Sequence, residues 1–181
     1  MITYISLLRG INVSGQKLIK MDKLRLMYEN MGFKNVRTYL QSGNVIFRCP
    51  ETDAAGLGRN ISKQINTIFG YHVPVHVLHY EDLKKIIEKN SFIKDTSKDP
   101  SFLHITFPFG VVKSNKEAEI INAKSESEDF FITGQAIYLY CPDGYGKTIL
   151  SNNFFEKILG VICTTRKWKS VIELLKIAGA D

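Results

Sequence analysis

At 181 residues the chain is long enough for one compact domain or two small ones, and an apolar content of 44% excludes a chain without a hydrophobic core. No segment approaches the roughly 20 consecutive apolar residues that a membrane-spanning helix needs, and the apolar run at residues 2–8 is too short for a signal peptide. The three cysteines are far apart and form no C-x-x-C pair, which predicts buried thiols in a cytoplasmic protein rather than disulfides or a zinc site.

The net charge of +6 comes from the first part of the chain. Residues 1–48 contain eight Lys or Arg and only two acids, whereas residues 49–181 contain sixteen bases and sixteen acids. A local excess of positive charge attracts phosphate-bearing partners, and it can also serve only to keep a protein in solution. The charge pattern leaves both interpretations open.

The chain begins with a predicted strand, a loop and a helix. Residues 3–8 are mostly apolar, which favours a central strand, and a loop with two glycines follows at 9–17. The next helix is expected to end at Gly32. Its apolar face consists of Met21, Leu24, Tyr28 and Met31.

Two hairpins are predicted, one in each half of the chain. Apolar runs at 36–40 and 45–47 flank a polar Gln-Ser-Gly-Asn break, which indicates a hairpin in which Gly43 has positive φ. A related pattern recurs at 129–141. Each hairpin follows a strand and a helical segment, so a β-α-β-β order is expected twice.

A second helix and a further strand complete the first half. Asp53 can cap this helix, and Gly70 can end it. Its predicted apolar stripe consists of Leu57, Ile61, Ile65, Ile68 and Phe69. The strand at 73–78 contains Pro74, which suggests an edge strand or the start of a strand. The resulting β-α-β-β-α-β order is ferredoxin-like.

The second half is expected to follow the same order. A connecting helix at 81–89 leads to it. Its own predicted elements are a strand at 102–107, a helix opened by a Ser114-Asn115-Lys116-Glu117 capping box, the hairpin at 129–141, a helix capped by Ser151 and a short strand at 161–163. A last helix follows, with Thr164 or Thr165 as its cap.

The predicted fold class is therefore α+β, with two tandem ferredoxin-like (βαββαβ) units and a C-terminal helix. The expected division is a first unit at 1–79, a connecting helix and loop at 80–100, a second unit at 101–164 and a docking helix at 165–181.

Several segments together resemble the bacterial domain-of-unknown-function family 1697. They are the Leu-Arg-Gly-Ile-Asn-Val run at 8–13, the Gly-Phe pair at 32–33 leading to Val36, the run at 38–47 around Gln-Ser-Gly-Asn, and the Thr-Thr-Arg-x-Trp run at 164–168. The resemblance implies a cytoplasmic protein with two ferredoxin-like halves and supplies no activity. This chain departs from the family pattern at Lys167, where Asn is usual, and at Thr148-Ile149, where a Ser-Lys pair is usual.

The predicted start of the last helix is the first candidate ligand site. Arg166 and Lys167 would lie in its first turn, where cations oppose the helix dipole. A helix N-terminus beside cations suits a phosphate or a carboxylate. Alternatively, Arg166 pairs with an acid or with carbonyl groups elsewhere in the fold and has a structural role.

The second candidate ligand site consists of polar residues at the end of the first strand and at the first hairpin turn. Its members are Arg9, Asn12, Lys17, Gln41, Ser42 and Asn44. Short polar side chains such as Ser42 and Asn44 also stabilise turns, so a structural role is the alternative for these two residues. Whether the two loops meet depends on the strand order.

No cofactor and no metal site is predicted. A G-x-G-x-x-G fingerprint is absent, and the histidines lack a helical ligand spacing. Residues 144–148 resemble the end of a phosphate-binding P-loop, but Cys141 occupies the place of the required first glycine. We therefore expect a structural turn there.

These observations favour a binding module for an anionic ligand, whether nucleic acid, nucleotide or another phosphate compound. One alternative is an enzyme that acts on a small anionic substrate, although no general acid or base can be named from the sequence alone. Another is a partner-binding or assembly protein. No membrane association is predicted, and no pattern specifies an oligomeric state.

Overall fold

The computed structural model describes residues 1–112 and 116–180. Within these residues the chain has mixed α/β structure, with two four-stranded antiparallel sheets and six α-helices. It divides into two compact units, which we call unit 1 (Met1–Lys84 together with the stretch from Leu174) and unit 2 (Lys85–Glu173). None of the helices in this described part combines the length and the apolar character that a membrane span requires.

The first half of the chain forms one sheet and the helices around it. Its elements are β1 (Ile2–Leu8), α1 (Met21–Asn30), β2 (Lys34–Tyr39), β3 (Asn44–Cys49), α2 (Ala54–Phe69), β4 (Val75–His79) and α3 (Tyr80–Glu88). The strand order is β2-β3-β1-β4. The apolar β1 is central and β4 lies at an edge directly after Pro74, as their sequences predict.

Local sequence signals explain where α2 begins and ends. The Asp53 carboxylate accepts hydrogen bonds from the amides of Ala55 (3.1 Å) and Gly56 (2.8 Å), and Gly70 ends the helix with φ 73°. These features confirm the predicted bounds. The predicted apolar stripe is too wide, because Ile68 is 49% exposed.

The core of unit 1 lies between its sheet and the helices α1 and α2. Tyr4, Phe33 and Phe47 stack in it, with Tyr4 and Phe47 fully buried. The hydroxyl groups of Ser6 and Tyr28 form a buried hydrogen bond of 2.8 Å. The two hydroxyl groups therefore satisfy each other in the core, where an unpaired hydroxyl would lower the stability of the fold.

The second half forms the other sheet. Two short 3₁₀ helices (Ser91–Lys94 and Pro100–Phe102) precede β5 (Leu103–Pro108), α4 (Glu117–Ala123), β6 (Asp129–Ile132), β7 (Ile137–Tyr140), α5 (Asn152–Leu159), β8 (Cys163–Lys167) and α6 (Trp168–Ala178). The strand order is β6-β7-β5-β8, with the fully buried β5 in the interior. Ser151 caps α5 by accepting the Phe154 amide at 3.3 Å, and Gly160 ends it, as predicted. The predicted capping box at 114–117 includes residues outside the described part of the chain.

The boundary between the last strand and the last helix differs from the prediction. Thr164 and Thr165 do not cap a helix, because they belong to β8, which continues to Lys167 and pairs with β5. The β-branched threonines suit an extended backbone, and β5 offers partners along the whole of β8. The helix begins only at Trp168, so Arg166 and Lys167 lie on the strand and not in the first turn of the helix.

Candidate functional site

The two polar loops of unit 1 meet at one end of its sheet. Nδ2 of Asn12 donates a hydrogen bond to the carbonyl oxygen of Gln41 at 2.8 Å, which joins the loop after β1 to the β2–β3 turn. Nζ of Lys17 donates to the carbonyl oxygen of His72 at 2.7 Å, just before β4. The amide of Arg9 donates to the carbonyl oxygen of Pro74 at 2.9 Å. The fold therefore brings the loop after β1 against both the β2–β3 turn and the segment before β4.

Several of these side chains are occupied in holding the loops. Asn12 bonds the amide and the carbonyl group of Ile19 at 2.8 and 3.0 Å. Asn44 is fully buried, and its Nδ2 donates to the Tyr39 carbonyl oxygen at 2.8 Å and to the Ser42 hydroxyl at 3.2 Å. These contacts support the structural interpretation for Asn12, Ser42 and Asn44.

The basic residues of unit 1 are spread over its surface. Arg9 and Lys17 lie at the loop end of the sheet, whereas Lys34 and Arg48 face each other in register near the opposite end of β3. Arg25 on α1 forms a 2.6 Å ion pair with Glu29. The positive charge of this segment therefore does not converge on the two loops.

Unit 2 contains a surface pocket of about 400 Å³ at one end of its sheet, which we call the Lys167 pocket. Three segments that are distant in the sequence meet there: the start of β5, the end of β8 and the turn at 144–146. The lining residues are Ser101, Phe102, His104, Gly144, Tyr145, Gly146, Thr165 and Lys167.

Strand register places the polar groups of this pocket. His104 on β5 is opposite Lys167 on β8, and Thr106 is opposite Thr165. The Thr165 hydroxyl donates to Oδ1 of Asn152 at 2.7 Å, so the Thr106 hydroxyl donates to Thr165 at 2.7 Å. This chain of bonds fixes the wall of the pocket beside Lys167.

Arg166 and Lys167 do not form one site. Successive residues of a strand point to opposite faces of a sheet. The Arg166 side chain is 7% exposed, and its Nη1 donates to the Thr164 hydroxyl at 2.8 Å and to the Thr165 carbonyl oxygen at 3.0 Å. Lys167 is exposed and lines the pocket.

The residues that line the pocket include a positive charge. Lys167 is its one cationic lining residue, and none of the described residues that line it is Asp or Glu. Gly144 has φ 95°, and a Cβ atom placed at Gly146 would meet nothing within 4 Å. A ligand can therefore approach the backbone of this turn closely.

His104 is the buried polar residue of the pocket, with 4% of its surface exposed. Its Nδ1 lies 3.1 Å from the carbonyl oxygen of Phe102, and its Nε2 has no hydrogen-bond partner among the described residues. Its ring stacks on Tyr145, with 4.8 Å between the ring centroids. Burial lowers the pKa of His104; the Phe102 carbonyl partly opposes this shift and the Lys167 charge adds to it.

Sequence reasoning named Lys167 but missed His104 and Thr165 as members of a site. The 144–146 turn was expected to be only structural. One signal was available: on a strand, Thr165 and Lys167 share a face because they are two residues apart. This signal could be used only if residues 164–167 were predicted to be extended.

Comparison with known proteins identifies the family to which this chain belongs. A family model described as "Protein of unknown function (DUF1697)" matches residues 1–138, and the chain belongs to this family, which confirms the resemblance found in the sequence. The matched region includes the polar loops of unit 1 and ends before the 144–146 turn.

Among solved structures, the conserved bacterial protein SP0830 from Streptococcus pneumoniae has a similar fold. It is 19% identical in sequence, with a TM-score of 0.75 over 98% of both chains. No curated protein matches this chain.

Proposed function

We propose that this protein binds a small anionic ligand in the Lys167 pocket. The observation that carries this proposal is the composition of the lining. One exposed ammonium group lies beside a glycine-containing turn, and the described lining residues include no carboxylate that could pair with it. Ammonium groups and the amides of glycine-containing turns are common ligands of phosphate and carboxylate groups. A phosphate compound is the preferred ligand class.

The pocket favours a small molecule over a nucleic acid chain. Its volume of about 400 Å³ is in the usual range for small-molecule sites. Nucleic acid binding generally uses a continuous basic groove along the phosphate backbone. The basic residues of unit 1 lie near both ends of its sheet, which does not favour such a groove.

We also propose that the two units are tandem ferredoxin-like repeats in a cytoplasmic protein. The strand orders β2-β3-β1-β4 and β6-β7-β5-β8 support the repeat. The strands β5, β6, β7 and β8 occupy the same places in the second sheet as β1, β2, β3 and β4 occupy in the first. The three buried thiols fit a reducing compartment.

The test is thermal unfolding and calorimetry with inorganic phosphate and pyrophosphate at about 50 mM salt, where charge screening is moderate. Both probes should stabilise the wild-type protein. A charge-assisted hydrogen bond contributes about 1.5–3 kcal/mol, so Lys167→Gln should weaken binding about tenfold to a hundredfold.

Lys169→Gln is the matched control, because it removes the same charge from an exposed position two residues away that does not line the pocket. It should bind both probes as the wild type does. Equal binding by Lys167→Gln and wild type would refute the proposal, as would tight binding of a single-stranded oligonucleotide that phosphate does not displace.

A further inference from the structure

We infer that Nε2 of His104 accepts a hydrogen bond from the ligand, so that the ligand carries a hydroxyl group close to its anionic group. The ligand class is then a hydroxylated small anion, such as a hydroxyl-bearing phosphate monoester. The inference rests on the proposed function and adds a second recognition element to the same pocket.

His104 has an unsatisfied ring nitrogen. Its Nε2 is shielded from solvent and has no hydrogen-bond partner among the described residues. Only 4% of the surface of His104 is exposed. Buried polar atoms in folded proteins almost always have a partner, and leaving one unpaired is costly. An unpaired nitrogen in the wall of a pocket indicates that a ligand supplies the missing partner.

The contact with Phe102 fixes the tautomer of the His104 ring. A carbonyl oxygen only accepts hydrogen bonds, so the contact with Phe102 requires the proton to lie on Nδ1. Burial and the nearby Lys167 charge both disfavour a second proton. Nε2 of the neutral ring therefore presents a lone pair, and the group that it recognises must be a donor.

His104 and Lys167 are neighbours in the sheet of unit 2. The two residues are directly opposite on neighbouring antiparallel strands, and both line the pocket. Side chains in such positions have Cβ atoms about 4.5–5.5 Å apart. A lone pair repels an anionic oxygen, so the anionic group belongs at Lys167 and the hydroxyl group at His104.

The Nε2 atom of His104 is covered by neighbouring groups in this structure. Because this atom is shielded, the ligand reaches it only after a neighbouring group moves. The Tyr145 ring stacks on His104, and Tyr145 lies between two glycines. A Cβ atom placed at Gly144 or Gly146 would meet nothing within 4 Å, so the space beside both glycines is open.

The test compares glycerol phosphate with propyl phosphate, which share a three-carbon chain and a phosphate but differ in hydroxyl groups. The wild-type protein should bind glycerol phosphate about threefold to tenfold more tightly, the usual effect of one net hydrogen bond. His104→Phe keeps a ring against Tyr145 and removes the acceptor. It should lose this preference and bind glycerol phosphate and propyl phosphate with equal affinity.

Nitrogen NMR of His104 in the wild-type protein provides a readout that does not depend on the folding of the variant. The Nε2 resonance should move by the amount typical of an accepted hydrogen bond with glycerol phosphate and clearly less with propyl phosphate. If both esters bind equally and leave the resonance unchanged, the inference is overturned and the proposed function stands. If neither ester nor inorganic phosphate binds, both are overturned.

Discussion

The contact between the two loops of unit 1 can be tested by adding a single methyl group. Gly43 has φ 77°, and a Cβ atom there would lie 2.6 Å from Cδ1 of Ile11 and 2.9 Å from Cβ of Leu8. In Gly43→Ala, the left-handed backbone costs about 1–2 kcal/mol and overpacking costs about 1–3 kcal/mol. We expect the free energy of unfolding to fall by about 2–5 kcal/mol.

Gly10→Ala is the control for the backbone contribution. Gly10 has φ 71°, but a Cβ atom there would meet nothing within 4 Å. It should cost only about 1–2 kcal/mol, the penalty of the left-handed conformation alone. Urea unfolding of both variants measures the difference. Equal losses would refute the close packing of Gly43 against Ile11 and Leu8.

Two further predictions concern stability. Burial lowers the pKa of His76 to about 4, so the stabilisation from its neutral form is complete above pH 6.5, the usual His pKa, and is lost as the pH falls towards 4. The loss in the free energy of unfolding is on the order of 3 kcal/mol. Urea unfolding across this pH range should show that the free energy of unfolding declines less steeply for His76→Gln than for the wild type. Parallel curves for the two proteins would contradict the assignment. Asp53→Ala should cost about 1 kcal/mol through loss of the α2 cap, while Asp53→Asn restores most of it; equal unfolding midpoints for all three proteins would exclude a capping role.

Local sequence signals predicted most of the architecture. A polar break with Gly43 between apolar runs specified the first hairpin, and Asp53 with Gly70 specified the ends of α2. These signals act within a few residues of the chain, so the sequence contains the information directly. The apolar character of β1 also predicted its central place in the sheet.

The end of the chain shows why local signals are sometimes insufficient. Thr164 and Thr165 are suitable both as helix caps and as strand residues. Pairing with β5 makes them strand residues, although β5 lies about sixty residues earlier in the sequence. A wrong boundary here placed Arg166 and Lys167 on one helix turn instead of on opposite faces of a sheet.

The candidate site could be predicted only in part for the same reason. The polar loops of unit 1 were visible in the sequence, but their contacts show Asn12 and Asn44 bonded within the loops. The Lys167 pocket combines three distant segments, and the burial of His104 is a property of the folded sheet. Neither has a local pattern that predicts it.

The most direct test of anion binding in the Lys167 pocket is a titration of the full chain with inorganic phosphate, followed residue by residue through its backbone amide NMR signals. We predict saturable shifts that are concentrated at Gly144, Tyr145, Gly146 and Lys167 and are absent in Lys167→Gln. Shifts confined to Arg9 and the unit 1 loops, or no saturable shift at phosphate concentrations that stabilise the protein, would contradict the assignment.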